Sequence, residues 1–577
     1  MIRDWKDRVK QQGPFFLFLG FILCRGGYFY HESLLFLGVA MILLLASYYY
    51  NQKEIIHYGQ ASVLPFLYLL FYSIPLFWAD NMHIVGVFKL MAPIALVIAL
   101  LQFYDVKTLL EQFFQAYVYS LLLAFVVLGL QHNLSHTPFY SAWMEDYFVT
   151  LVIQKRFTGW LQYANVNAVF SLISGFYFIR RKDKHWKIIL SALSLGLSGS
   201  RTAWILTIVL LIYVAGYLLY QKEWKKETLY RIFSFVCFLS IGIWLVSLWL
   251  KSGRIGEGLQ ASEFQTRLLY YKDGLFMILK NPLGYGHYGY YLIQRQFQTG
   301  SMYFIKYIHN FWLQIILDGG VVTGFLFLAL LLKTAYFLWI EKSEKRTLYL
   351  PLFLTFLAHA FFDFDLEFSY SYLFIWLVYF AAFSGERKKI VLHRSFKSLF
   401  FAGNLILLSI SFFLALIFIQ VYFGNYRLAA DLGFTDAKMK ILKSVETDEE
   451  IKREIAHSME KNQLKSPETF AFLRDYYYNK GNLKKAIGYG RQAVELAPLL
   501  LFHRQELMRI EYAYALLNSQ DMSEVAEDIL GLPQRLSQLK VEKSTQLNVQ
   551  HRPQWEMSKE MQLWYLHFRS LYQGHKE

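Results

Sequence analysis

Long uncharged apolar runs recur from Phe15 to Phe423, each near the roughly 20 residues that a helix needs to cross a bilayer. They predict about thirteen spans, near 13–30, 33–50, 61–79, 83–104, 113–131, 164–180, 187–199, 203–220, 231–250, 316–340, 347–363, 367–385 and 397–423. Arg25 and the Gly26-Gly27 pair weaken the first of these. The pattern changes after Phe423. Residues 424–577 are charged, rich in Lys, Glu and Gln, and contain no spanning run. The expected fold is therefore all-α: a polytopic helical membrane domain over 1–423 and a soluble helical domain over 424–577.

In the soluble part, Gly481, Ala486, Ala493 and Pro498 fall at the spacing of a tetratricopeptide helix pair, with Tyr476-Tyr477-Tyr478 on the preceding helix. Phe502–Ser519 and Met522–Leu530 suggest a second, degenerate hairpin. A generic helical bundle is the alternative, since a free-standing solenoid needs about three repeats. Either form suits binding of a partner or acceptor, and neither carries a catalytic signature.

Composition supports the membrane reading. The chain of 577 residues is 55% hydrophobic and 19% aromatic, too apolar for a soluble protein of that length. Its net charge of +15 lies mostly in short loops, as the positive-inside bias requires. No basic stripe with a nucleic-acid motif occurs, so a nucleic-acid partner is not expected. Cys24 and Cys237 lie far apart in or beside apolar runs and read as packing residues without metal-ligand spacing. Met1–Gln12 is basic and no cleavage site follows the 15–29 segment, so no cleavable signal peptide is expected.

The same charges orient the spans. Arg3, Lys6, Arg8 and Lys10 place the N-terminus in the cytoplasm. Arg180-Arg181-Lys182-Lys184, Lys222-Lys225-Lys226, Lys342-Lys345-Arg346 and Arg387-Lys388-Lys389 then all fall inside. An odd count puts the C-terminal domain outside. The outer loops become 132–163, the tight hairpin at Ser198–Ala203, the long loop 251–308 and Asp363–Glu367.

Polar signals converge on that outer face. Arg201, in Ser198-Gly199-Ser200-Arg201-Thr202-Ala203, lies between apolar runs, where a cation costs about 2.5–3.5 kcal/mol at a helix centre and less at an interface. Phe264, Leu268, Tyr271, Leu275 and Ile278 mark an amphipathic helix on the outer surface, with Arg267 beside its apolar face. A snorkelling arginine is the plainer reading of Arg267. His309-Asn310 opens the next apolar segment, where the histidine is either a cap, a packed residue or a base. Asn165 and Asn167 follow Gly159 and serve either as caps or as donors to a sugar or phosphate. Asp363, Asp365 and Glu367 form a solvated turn, a partner set for the arginines or a second acid–base site. Lys89 and Lys333 are the main charges inside spans, without obvious acidic partners in sequence.

Taken in order, these segments resemble the O-antigen ligase superfamily, polytopic enzymes that move glycans off lipid-diphosphate carriers. The resemblance rests on Gly159 through Ala168, on the Ser-x-Ser-Arg turn at Ser198–Arg201, and on Arg267 followed by Asn281-Pro282-Leu283-Gly284-Tyr285-Gly286. His309-Asn310 followed by Asp318-Gly319-Gly320 completes it, with core motifs over 155–385. Thr323 stands where that family usually has a further glycine. The resemblance implies that Arg201 and Arg267 hold the donor's diphosphate, that His309 activates the acceptor hydroxyl, and that Asn167 and Asn310 contact substrate. It implies no metal, no cofactor and no nucleotide sugar. The partners it implies are a lipid-linked glycan donor, a glycan, lipid or protein acceptor, and a protein partner at the C-terminal domain. The location is a bacterial cytoplasmic membrane, with the donor carried by undecaprenyl diphosphate. A polymerase joining carrier-linked repeat units fits the same motifs. A transporter or flippase would instead need charged or broken helices near the midplane, and a scaffold would leave the two arginines and His309 without a role.

Overall fold

The computed structural model describes residues 2–51, 54–134, 151–153, 156–221, 226–250, 262–341, 344–391, 393–444, 449–462, 466–518 and 522–575. Lys222, Lys225, Lys342 and the first part of the long outer loop, 251–261, lie outside these. The described chain is nearly all helix, with two short two-stranded sheets.

Among the described residues, seven helices are long and apolar enough to cross a membrane: Tyr30–Tyr50, Gly59–Phe77, Met82–Leu101, Val106–Leu130, Lys226–Leu245, Phe311–Ile340 and Phe396–Tyr422. Gln12–Leu23, His185–Leu197, Arg201–Tyr217 and Ser369–Ala382 are apolar but shorter. By length and composition the count is thus seven rather than about thirteen. The difference has a physical origin. Expected spans are shortened where the chain turns to present polar groups, as at Leu350–Ala360, only 11 residues long. The first is cut at Leu23 by a turn through Arg25, Gly26 and Gly27, all at positive φ. Ala164–Arg181 has the length but carries asparagines, serines and two arginines.

Ser369–Ala382 is the hub. All of its residues are buried, and Tyr370 stacks on Phe113 with ring centroids 4.3 Å apart. Lipid-facing surfaces lie further out, where Ile205, Ile208 and Ile212 on one helix are each at least 60% exposed. In lipid such residues need no protein cover.

Contacts sort the connecting loops into two groups. Residues 54–57 pair with 388–391 as antiparallel strands, and Lys107 and Arg181 both reach Glu344. These are the loops given to the cytoplasm above. The other group joins Arg156 to Ser198, Arg201 to Glu263, and His309 to Asp363. Lys89, unpaired in the sequence reading, lies 3.4 Å from Glu367.

The C-terminal domain sits with the second group. Its Pro467–Asn479 and Leu483–Leu496 helices form a hairpin turned at Gly481, with Ala486 and Ala493 fully buried. Tyr288 donates to Asp436 at 3.0 Å, Arg295 pairs with Glu468, and Thr435 meets Asp80. A strap near the C-terminus completes the docking. Met302 N–H donates to the His551 carbonyl at 2.8 Å, and Gln550 N–H donates to Thr266 at 3.1 Å, one residue from Arg267.

Candidate functional site

The site begins at the hairpin between His185–Leu197 and Arg201–Gln221. Gly199 takes φ +63, a conformation that a Cβ resists. Close approach of a neighbouring helix fixes the hairpin from behind, since a Cβ on Gly196 would lie 2.7 Å from the Gly242 Cα. The turn exposes the Ser198 carbonyl, which accepts from Arg156 Nε at 2.7 Å. Arg201 follows, its Nη2 lying 3.4 Å from Glu263 Oε2, with both side chains partly exposed. Such a pair contributes little in water and yields readily to a better anion.

Glu263 and Arg267 share one face of the Ser262–Lys280 helix, one turn apart. Arg267 donates from Nη1 to the Phe362 carbonyl at 2.8 Å, its one protein acceptor among the described residues. Burial works most strongly against its charge, but Asp363, with Tyr163, Tyr271 and Glu263, together outweighs it and keeps the guanidinium charged. Past Asn281-Pro282, the glycine loop is held by a break in the next helix. Gly320 takes φ 86 and ψ 169, which interrupts Phe311–Ile340. The freed carbonyls of Leu317 and Asp318 accept from Tyr285 and Gly286 N–H at 2.7 and 2.9 Å, and Val321 N–H donates back to Pro282. No Cβ fits there: one on Gly284 would lie 2.5 Å from the Gly320 nitrogen. Thr323, where the sequence departs from the family pattern, returns its hydroxyl to the Gly319 carbonyl at 2.5 Å.

His309 lies at the mouth of that broken helix with φ +54. A left-handed conformation costs a non-glycine residue about 1–2 kcal/mol, and the surroundings enforce it. Tyr271 donates to the His309 carbonyl at 2.8 Å, and Asn310 caps the helix by accepting from Leu313 N–H at 3.0 Å. The imidazole donates from Nδ1 to Asp363 Oδ1 at 3.1 Å. That bond leaves Nε2 as the basic nitrogen, without a protein partner among the described residues. The His309 ring meets Phe364 edge-on at 4.8 Å.

Asp363 is the centre of the arrangement. Besides His309 it accepts from Tyr163 at 2.8 Å, from Asn165 Nδ2 at 2.5 Å and from Phe364 N–H at 2.9 Å. Asn165 in turn accepts from Arg156, tying Asp363 back to the Ser198 turn. Burial would raise the Asp363 carboxyl, but the His309 hydrogen bond and the Arg267 charge outweigh it and hold the group well below the usual range. Burial raises the neighbouring Asp365, which bonds to His359 Nδ1.

The structure thus brings together Arg201, Arg267 and His309. It does not bring Asn167 to them. Asn167 is 1% exposed and bonds to Tyr117 and Ser194 between helices. It also sets Gly159, whose Cβ would fall 2.8 Å from the Asn167 Oδ1. The Asn310 side chain is engaged as the cap just described. The sequence alone does not single out Arg156, and it leaves Asp363 open between a solvated turn, a partner for the arginines and an acid–base group. The residue types near Asn165 and His309 were visible, but their pairing joins positions 54 apart for His309 and Asp363 and 198 apart for Asn165 and Asp363.

A second polar region adjoins this one behind Phe364. There a cavity of about 30 Å³ is lined by Tyr72, Lys89, His287, Asp318, Phe364 and Glu367, among others. Among the described residues, His287, Asp318 and Glu367 form one group whose ligand atoms lie within 4.8 Å of one another, suited in number to a metal ion. The ammonium of Lys89 stands 3.4 Å from Glu367 and competes with any cation for it.

Fold and site together define a multi-pass helical membrane protein with a histidine–aspartate pair and arginines at one end of the bundle. Comparison with known families agrees: a family described as O-Antigen ligase matches residues 186–328, so a domain of that kind is present there. The match covers Arg201, Arg267 and His309 and supports a ligase-like membrane enzyme acting on lipid-linked glycans. No curated protein and no solved structure matches the chain.

Proposed function

We propose that the protein transfers a glycan from an undecaprenyl-diphosphate carrier to an acceptor hydroxyl at the outer face of a bacterial cytoplasmic membrane. The observation that carries this reading is the His309–Asp363 pair set beside Arg267. In the reaction His309 Nε2 takes the proton of the acceptor hydroxyl as its oxygen attacks the anomeric carbon of the donor sugar. The bond from that carbon to the diphosphate oxygen breaks, and the carrier diphosphate leaves. Asp363 holds the tautomer that exposes Nε2 and stabilises the imidazolium. Arg267 and Arg201 take the charge growing on the diphosphate, which guanidinium forks match in shape and sign. Glu263 gives up Arg201 as the diphosphate enters.

The orientation follows the basic loops: N-terminus in the cytoplasm, and the C-terminal domain outside with the site. That domain, tetratricopeptide-like in its first hairpin, holds the Arg267 helix through Asn548 and Gln550 and faces an acceptor or protein partner. Gathering of the polar groups at one end of the bundle favours an enzyme over a transporter or flippase. Ligase and polymerase differ in the acceptor alone.

Purified protein with lipid-linked donor tests the reading. Arg201→Lys keeps the charge but loses the fork, so transfer falls strongly. His309→Ala abolishes turnover while the protein still inserts. Near-normal transfer by His309→Ala ends the proposal. In a deletion strain, loss of long chains identifies a polymerase, and long chains left on carrier identify a ligase.

A further inference from the structure

One cation next to the site has no protein acceptor among the described residues. Lys306, three residues before His309, is half-buried, and among the described residues its ammonium makes no hydrogen bond or ion pair. Its neighbours are ring faces: Tyr30 at 4.8 Å, Tyr307 at 5.3 Å, Tyr28 at 5.7 Å and Tyr288 at 6.0 Å. Ring quadrupoles attract the charge but leave its three N–H donors without acceptors. The ammonium of Lys89 lies over three of the same rings, Tyr28, Tyr30 and Tyr307, at 5.5 to 5.9 Å. Two ammoniums therefore share one aromatic cage.

The acids nearby are already engaged. Glu367 pairs with Lys89 at 3.4 Å. Asp436 accepts from Tyr288 at 3.0 Å and pairs with Lys440 at 3.1 Å. Burial lowers Lys306 to about 8, with Asp436 offsetting part of it and Lys89 adding to it. A partly exposed ammonium walled by rings, without an acceptor among the described residues, calls for an oxyanion. The cage also has an address in the site. Tyr307 packs on Phe364 at 5.6 Å, and Phe364 packs on His309 at 4.8 Å. Phe364 thus links the cage to the proposed base.

We propose that Lys306, with Lys89 beside it in the tyrosine cage, is an acceptor subsite that binds a carboxylate or phosphate group of an acidic glycan. The proposal rests on the transferase reading and names its acceptor class. Lys306 takes the oxyanion, and a neighbouring hydroxyl of the same glycan then lies toward His309 Nε2. Donor and acceptor anions would occupy separate cationic sites, Arg201 and Arg267 for one and Lys306 for the other.

The test measures binding to the purified full-length protein in detergent by calorimetry, using methyl glucuronide, glucose 1-phosphate and neutral methyl glucoside. At least one charged probe should bind about tenfold or more tighter than the neutral one, the scale of one charge-assisted hydrogen bond. Preference for the glucuronide identifies a carboxylate, and preference for the sugar phosphate identifies a phosphate. Lys306→Gln should lose that preference, Lys306→Arg should keep it, and His309→Ala should leave it intact. Equal binding of charged and neutral probes to the wild-type protein, or no binding of any probe, overturns the proposal. So does an unchanged preference in Lys306→Gln. Because binding is read without turnover, failure of transfer chemistry and failure of the subsite are separable.

Discussion

Asp363→Asn is the most exacting perturbation of the site, because it changes one charge and almost no volume. The carboxylate accepts four hydrogen bonds, from His309, Tyr163, Asn165 and the Phe364 N–H. An asparagine keeps one oxygen and turns an NH₂ toward a set made only of donors. The ring of His309 then either loses its acceptor or flips to the other tautomer, and Arg267 loses the nearest negative charge. A hydrogen bond to a charged group contributes about 1.5–3 kcal/mol. If that full amount acts on the imidazolium formed in the transition state, kcat falls by roughly 10- to 150-fold. KM for the donor changes far less, since Asp363 does not touch the diphosphate. The assay is initial-rate transfer from a lipid-diphosphate-linked glycan to acceptor by purified variant protein. Adding Asp363→Asn to His309→Ala should cost little more, because the two act as a unit. A kcat within about twofold of wild type, below the cost of even one such bond, would refute the role given to the pair.

Other consequences follow from the same geometry. Gly320→Ala places a methyl within 3.0 Å of backbone atoms of Pro282 and Leu283, at φ +86. It should lower thermal stability and transfer together, whereas Gly216→Ala, with nothing within 4 Å, should change neither. The folded-state pKa of Asp363 is depressed, so its ionised contacts stabilise at every pH above the ordinary aspartate value near 3.9 and are lost as pH falls through the folded pKa. Thermal melts of wild type and Asp363→Asn should therefore still differ at about pH 5 and converge only in stronger acid. A difference that vanishes by about pH 6 contradicts that sign. Thr266→Val removes the hydroxyl that accepts from Gln550 N–H at 3.1 Å. Loosening the helix that carries Arg267 should raise donor KM more than it lowers kcat in a steady-state assay.

Much of this protein was settled by order along the chain. Apolar runs announced a helical membrane domain, and their end at Phe423 announced a separate helical one, because burial in lipid and burial in water demand different residue patterns. Local turn chemistry was equally legible. Ser198-Gly199-Ser200 and Asn281-Pro282 each mark a bend that few other residues permit, whereas the break at Gly320 falls inside an expected span. Arg201 stood out because a cation is costly between apolar runs, whereas Arg267 and His309 took their expected roles from the family resemblance. The span count was less legible, since a hydropathy window does not register a helix that stops short inside a bundle, as Leu350–Ala360 does.

Tertiary structure alone decided who pairs with whom. Asp363 became the partner of His309, and Asn167 became an interhelical strut between Tyr117 and Ser194. Lys89 found Glu367 from another span. Lys306 carries no sequence signal at all, since its meaning lies in the tyrosines that surround it. Periodicity and turn propensity act between near neighbours and are written in the sequence. Charge pairing and ring packing act through space between segments hundreds of residues apart, and only the folded arrangement of helices fixes those distances.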